Sequence, residues 1–358
     1  MMVKRTSRRV LGGSGALRRG TGLLLAAALL LTGCGWGKQS AAPGTAGAPA
    51  APSSGAVGAP AGNPAEETSG MVPVAAGKFR FVVMGDSRGS SNGTNEATLR
   101  ALLGKVKELK PAPDFILFTG DQVTGGSTVA KQLASWKNIA DDYMPVTSIY
   151  PALGNHENDE KIFSQAFSYL PQNGLQGYGR TVYAFDHVNA RFITLNSNRT
   201  NEDGDYVIDD AQLAWLEEQL KGAPDKHRFV QFHVPAYPVG AHLGSSLDAA
   251  PASRDKLWAL LDRYRVTAVL VGHEHNYNRR KVDASFSGSG YTFRQEIYQL
   301  TIGGAGAPLY TGNKENKGIV VGPKASYHYM VVDVDGSRAQ FQAYDLQQNR
   351  IDSFAVER

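Results

Sequence analysis

Cysteine is nearly absent. Cys34 is the only one in 358 residues, so the chain forms no internal disulfide, which is compatible with export without demonstrating it. Long apolar runs are also missing. The stretch LLLAAALLL at 23–31 has nine residues, whereas a membrane-spanning helix needs about 20. A true excess of one charge is lacking as well. The formal +4 comes from six Lys and Arg in residues 1–33 (Lys4, Arg5, Arg8, Arg9, Arg18, Arg19), where there is no acid. The remainder holds 31 basic against 33 acidic residues, which gives no support for a nucleic-acid binder. No internal repeat is visible. What is present, 42% hydrophobic and 20% charged residues, fits a soluble globular chain with a sizeable core.

The first 33 residues read as an export signal: a basic stretch, a short apolar run, then LTGC. LTGC resembles the lipobox of bacterial lipoproteins, which implies cleavage before Cys34, lipidation of that residue, and a membrane-anchored protein facing the periplasm or the cell exterior. Several acyl chains on one residue anchor stably. SRRVL at 7–11 resembles a twin-arginine signal, so the twin-arginine and general secretory routes both stay open. Residues 38–77 are dominated by Ala, Gly, Pro and Ser, and such composition cannot offset the entropy of ordering. Residues 34–77 therefore read as a tether, and 78–358 as one folded domain.

Within that domain, apolar runs and helical spacings alternate. FRFVVMG, DFILFTG, VTSIYPALG, HRFVQFH and VTAVLVGHEH read as strands; 95–109, 128–143, 209–222 and SRDKLWALLDRYR read as helices. TVYAFDHVNARFITLNS (181–197) predicts two strands around a turn at His187–Ala190, and the pattern after residue 290 is strand-rich, with a hairpin signal at Asp335-Gly336. The fold class is α/β, with short strands buried on both faces.

Five of these strands end in polar clusters: Gly85-Asp86, Gly120-Asp121, GNHE at 154–157, FHVPAY at 232–237 and GHEH at 272–275. In α/β sheets, ligands bind at the carboxyl ends of strands, so five such ends can converge on one cleft. Aspartate and asparagine oxygens with imidazole nitrogens suit two divalent cations such as Mn, Fe or Zn. Taken singly, a Gly-Asp after a strand is a turn and a lone His is a packing residue; the ordered set of five carries the metal-site reading.

The set resembles the calcineurin-like metallophosphoesterase superfamily, whose pattern is D-x-H, GD, GNH(D/E), a later His and GHxH. GHEHNYNR (272–279), GNHE and the H-x-P-x-Y at 233–237 are similar to the purple acid phosphatase branch, as, more faintly, is IGGAGAP (302–308). The resemblance implies an α/β sandwich of two central mixed sheets flanked by helices, and hydrolysis of a small phosphate ester by a hydroxide that two metals make available. It implies that Asp121 bridges the metals, that Asp86 and His275 complete the first site, and that Asn155, His233 and His273 complete the second. His156 would protonate the leaving oxygen or stabilise charge on the phosphoryl group without binding metal. Two positions depart from the pattern. The D-x-H histidine is Arg88, which cannot coordinate metal but can present its planar fork to a phosphate oxygen. The purple branch places a tyrosinate three residues after the bridging Asp, and here that residue is Thr124.

The branch resemblance favours monoesters, with a phosphodiesterase or nucleotidase as the near alternative. A surface lipoprotein that keeps the fold as a binding module is a rival from another class, kept open by Arg88. A solute-binding lipoprotein would have no reason to carry the five motifs in order. Glu157 and Glu274 either orient an imidazole or are solvated. His187, His227, His242 and His328 read as structural, with His242 the one within reach of the cleft; Tyr237, Tyr277 and Asn276 could line the pocket, although tyrosines near strand ends are more often packing residues, and Trp215 and Trp258 read as core rather than a binding surface. The oligomeric state is left open.

Overall fold

The computed structural model describes residues 75–90 and 92–358. The expected signal peptide, Cys34 and all of the expected tether except its last three residues lie outside the described residues. Among the described residues no helix is long and apolar enough to cross a membrane. The chain runs β1 (Lys78–Met84), α1 (Glu96–Glu108), β2 (Phe115–Phe118), α2 (Val129–Asp141), β3 (Ile149–Pro151), α3 (Glu160–Ala166), β4 (Tyr183–His187), β5 (Ala190–Thr194), α4 (Asp210–Lys221), β6 (His227–Gln231), α5 (Pro251–Arg263), β7 (Ala268–Val271), β8 (Tyr277–Val282), β9 (Ile297–Ile302), β10 (Ile319–Lys324), β11 (His328–Asp335), β12 (Arg338–Asp345) and β13 (Arg350–Glu357).

Two mixed sheets form the centre. The first has the order β13-β12-β11-β1-β2-β3, the second β10-β8-β9-β7-β6-β5-β4. Strands β1, β2 and β3 are parallel to one another, as are β5, β6, β7 and β9. Successive strand side chains point to opposite faces, and β1 shows the result. Phe81 and Val83 join the layer between the sheets with Phe115, Phe192, Phe229 and Leu270, while Val82 and Met84 pack outward with Leu99, Leu133 and Trp136 of α1 and α2. On the far side, Val230, Val269 and Val271 pack against Leu216 of α4 and Leu257 and Trp258 of α5. Burial on both faces is why these strands read as unbroken apolar runs. The expected sandwich is thus the observed one.

Local signals explain the helix starts. Asn95, Asp159 and Asp209 cap α1, α3 and α4 by accepting the N–H of Thr98, Ile162 and Gln212, satisfying amides that the first turn leaves unpaired. The 181–197 segment forms two strands as expected, the turn itself being Val188-Asn189. The Asp335-Gly336 signal corresponds to a hairpin in which Asp335 faces Arg338 and Gly336 adopts φ 58°. Ala75 is already docked, its N–H on Asp225 O at 2.9 Å and its carbonyl on Asn189 Nδ2 at 2.7 Å.

Candidate metal centre

Strands β1, β2 and β3 of the first sheet and β6 and β7 of the second end in Asp86, Asp121, Asn155, His233 and His273, and these ends meet. Reaching the cleft requires abrupt changes of chain direction. Asp86, Asp121 and His273 adopt left-handed backbone at φ 63°, 53° and 68°, a conformation that costs an L-residue roughly 1–2 kcal/mol and collects at functional sites. Gly120, at φ 100°, lets β2 pass under His233, whose Nδ1 would lie 2.6 Å from an added Cβ. Gly154 lies so close to Asp121 that any side chain would collide with its amide and carboxylate.

The side chains then converge. His233 Nε2 is 3.3 Å from Asp121 Oδ1 and 2.9 Å from Asn155 Oδ1. His273 Nδ1 is 2.8 Å from the same Asn155 oxygen and 3.3 Å from His233 Nε2. His275 Nε2 faces Asp86 Oδ1 at 3.6 Å, and Asp86 Oδ1 accepts the His273 N–H at 2.9 Å. Asp86, Asp121 and His233 each offer a ligand atom within 4.8 Å of the others. All eight residues singled out in the folded domain, including Arg88 and His156, are brought to this one place.

The donor set fits divalent cations on electronic grounds. The Nδ1 atoms of His233 and His275 lie 2.8 and 2.7 Å from the carbonyls of Thr119 and Pro308, so those nitrogens carry the protons and the Nε2 lone pairs face the cleft. The cleft is therefore lined by lone pairs facing carboxylate and amide oxygens, an arrangement that repels itself without a cation. Among the described residues, Asp86 Oδ2 and His273 Nε2 are buried with no hydrogen-bond partner. Burial, followed by the charge of Asp121, pushes Asp86 well above the usual carboxylate range, and the same two causes raise Glu157 to about 8. Burial lowers His233 and His273 and takes His275 down to about 4, which keeps all three imidazoles in the neutral, ligating form.

The two departures have structural counterparts. Arg88 does not turn away from the cleft: its Nε is 3.6 Å from Asp121 Oδ2, and its Nη2 donates to the Tyr310 hydroxyl at 3.4 Å. Thr124 is tied to the backbone instead, its Oγ1 donating to Gly89 O at 2.7 Å. The Thr124 carbonyl meets His156 Nδ1 at 2.9 Å, leaving His156 Nε2 directed toward Asp121 Oδ2 at 3.9 Å.

Several residues play parts that the sequence does not show. Glu157 and Glu274 are buried and neither orients an imidazole nor meets solvent. Glu157 accepts the N–H groups of Asp121, Val123 and Gly154, and Glu274 those of Val239, Gly240 and His242. His242, read as structural, lies against His273 with ring centroids 3.9 Å apart, and Tyr310 stacks on His275 at 4.2 Å. The GHEH spacing marks the two histidines and the Gly-rich stretch around His242 brings that ring within reach of the cleft, but nothing in the sequence announces Tyr310.

A sandwich of mixed sheets with two carboxylates, an amide and three neutral imidazoles at its strand ends defines the class of two-metal hydrolytic folds. Residues 79–277 match the calcineurin-like phosphoesterase family, and the chain belongs to it. The chain is 27% identical over 172 residues to a probable glycerophosphodiester phosphodiesterase, GpdQ, of Arcobacter nitrofigilis, a match covering 48% of this chain and 59% of that protein. It is 26% identical to tartrate-resistant acid phosphatase type 5 of Oryctolagus cuniculus, covering 58% of this chain and 71% of that protein. Its fold is similar to purple acid phosphatase PPD1 from yellow lupin (Lupinus luteus), with TM-score 0.61 and 16% identity over 80% of this chain and 55% of that one. The chain thus spans less than two thirds of the length of some of these relatives.

Proposed function

We propose that the chain is an exported, lipid-anchored phosphoesterase that hydrolyses phosphate monoesters at the centre formed by Asp86, Asp121, Asn155, His233, His273 and His275. The observation that carries this reading is the cluster of inward lone pairs bordered by two donors that cannot or need not bind metal, Arg88 and His156. Asp121 stands between the two halves of the set, toward Arg88 and His156 through Oδ2 and toward His233 through Oδ1. Bound divalent cations would supply Lewis-acid neutralisation of the phosphoryl oxygens and a nucleophile available at neutral pH.

The chain's own residues do the rest. Arg88 binds a non-bridging phosphoryl oxygen. His156, its Nδ1 donating to Thr124 O, gives a proton from Nε2 to the departing alkoxide when the ring enters the reaction as the imidazolium, and it leaves the step neutral. The left-handed turns at Asp86, Asp121 and His273 hold the ligands in place before substrate arrives. A terminal phosphate with two negative charges matches the pair Arg88 and His156, which favours monoesters. The diesterase named among the relatives supports the second reading, phosphodiester hydrolysis at the same atoms.

The deciding experiment is elemental analysis of purified protein together with kcat/KM on phosphomonoesters, diesters and nucleotides. We expect two metals per chain, higher kcat/KM on monoesters, and loss of activity in Asp121→Asn. Equal activity in wild type and Asp121→Asn refutes the catalytic reading, and a preference for diesters refutes the monoester one. Anchoring at Cys34 rests on the LTGC stretch; metabolic labelling with radioactive palmitate should mark wild type and spare Cys34→Ala, and labelling of both refutes it.

A further inference from the structure

Arg88 occupies the position at which the family pattern has a metal-ligating histidine, and its surroundings give that exchange a use. Its guanidinium is only one-fifth exposed, and its Nε, 3.6 Å from Asp121 Oδ2, is buried beyond hydrogen-bond range of any partner among the described residues. A guanidinium left so loosely held could collapse onto the Asp121 carboxylate. Tyr310 stands where it would prevent this. The Tyr310 N–H donates to His275 O at 2.9 Å, and its ring lies parallel to the His275 ring at 4.2 Å, 15° between planes. The stretch before it is pinned to the end of β1 by Ala305 N–H on Gly85 O at 2.7 Å and Ala307 N–H on Asp86 O at 2.8 Å. The phenol oxygen is therefore carried on the same framework as Asp86 and His275, and it receives Arg88 Nη2 at 3.4 Å.

We propose that Tyr310 and Arg88 form an oxyanion clamp, in which Tyr310 is a positioning residue that holds the Arg88 fork off Asp121 and open to a phosphoryl oxygen. The inference rests on the reading of the centre as a phosphoester site and adds to it the device that recognises the anionic end of the substrate. A guanidinium fork meeting phosphate oxygens bidentately adds geometric specificity, and the Tyr310 hydroxyl, receiving Nη2 at 3.4 Å, restrains the plane of that fork. The ligand so recognised is a tetrahedral oxyanion with at least one free anionic oxygen, whatever alcohol it carries.

The test uses inorganic phosphate as probe. Full-length, metal-loaded wild type, Tyr310→Phe, Arg88→Met and the double variant are compared by calorimetric titration and by competitive inhibition, with bound metal counted in each. Tyr310→Phe keeps the ring that stacks on His275. Loss of one hydrogen bond to a charged group should weaken phosphate affinity about 10-fold in Tyr310→Phe and about 30-fold in Arg88→Met. The double variant should be no worse than Arg88→Met, because Tyr310 acts through Arg88. KM should rise in Tyr310→Phe more than kcat falls, and metal content should be equal in all four. Unchanged phosphate affinity in Tyr310→Phe, losses that multiply in the double variant, or metal lost from Tyr310→Phe would each overturn the clamp. If wild type hydrolyses no ester yet binds phosphate with this dependence on Tyr310, the hydrolase reading fails and the clamp stands. Hydrolysis with phosphate affinity indifferent to Tyr310 removes the clamp alone.

Discussion

The Glu157 carboxylate accepts the backbone N–H of Asp121 at 3.2 Å, and with it those of Val123 and Gly154 at 2.9 Å each. One buried side chain thus ties the turn after β2 to the turn after β3 and holds Asp121 in its left-handed conformation. A glutamine at 157 turns an amide toward donors and leaves at least one of them unmade. Glu157→Gln should weaken metal affinity 10- to 100-fold, the usual effect of losing such a support, read by titration of metal into chelator-treated protein. Unchanged metal affinity would show that the Asp121 turn holds itself.

His156 touches Asp121 through its backbone N–H, at 3.1 Å from Oδ1, and its ring is held by Thr124 O. His156→Gln should therefore keep its metals while turnover falls on the order of 100-fold, the scale of general acid catalysis. The loss should be larger for an alkyl phosphate than for an aryl phosphate, whose leaving group needs less protonation. Equal losses on both substrates would deny His156 the acid role.

Metal removal should depend on pH in a defined direction. Without a cation, burial and the charge of Asp121 raise Glu157 to about 8 and Asp86 well above its ordinary value. Between the ordinary 4.5 and about 8 the folded chain retains a proton at Glu157 that the unfolded chain has released, so stability falls as pH rises through this window. Bound cations supply the missing positive charge. The Tm of loaded protein minus that of chelator-treated protein should therefore widen from pH 5 to pH 8. A gap that is flat or narrows would contradict the reading that the inward lone pairs of the cleft repel one another without a cation.

His328 offers a second pH test away from the centre. It is fully buried with Nδ1 on Ser326 O at 2.8 Å, and burial lowers it to about 4. From pH 6.5 down to about 4 the unfolded chain takes up a proton that the folded chain refuses, so stability is lost as pH falls, by roughly 3 kcal/mol at the low end. His328→Gln should flatten the slope of unfolding free energy against pH between 4 and 6.5. An unchanged slope would mean that other histidines account for all of it.

The strands that were legible and those that were not differ in what their side chains do. β1, β2, β6 and β7 are buried on both faces by aliphatic and aromatic packing, so each appears as an apolar run. β8, YNRRKV, is as deeply buried and was missed, because its burial rests on pairing. Arg279 bonds Asp352 at 2.8 Å across 73 residues, and Arg280 donates to the Pro238 and Glu315 carbonyls. α3, with only seven residues, and the edge strand β10 have too little periodicity to announce themselves.

By itself the sequence determined the alternation of strands and helices, the polar clusters at the strand ends and their order, because these follow from side-chain period and local turn chemistry. Only the tertiary structure decided that Glu157 and Glu274 are backbone anchors, that His242 and Tyr310 line the centre, and that Arg88 faces Asp121. Apart from Glu157 with Gly154, three positions away, those relations join residues from 31 (His242 and His273) to 222 (Arg88 and Tyr310) positions apart, and no local pattern encodes a contact that exists only once distant strand ends have packed together.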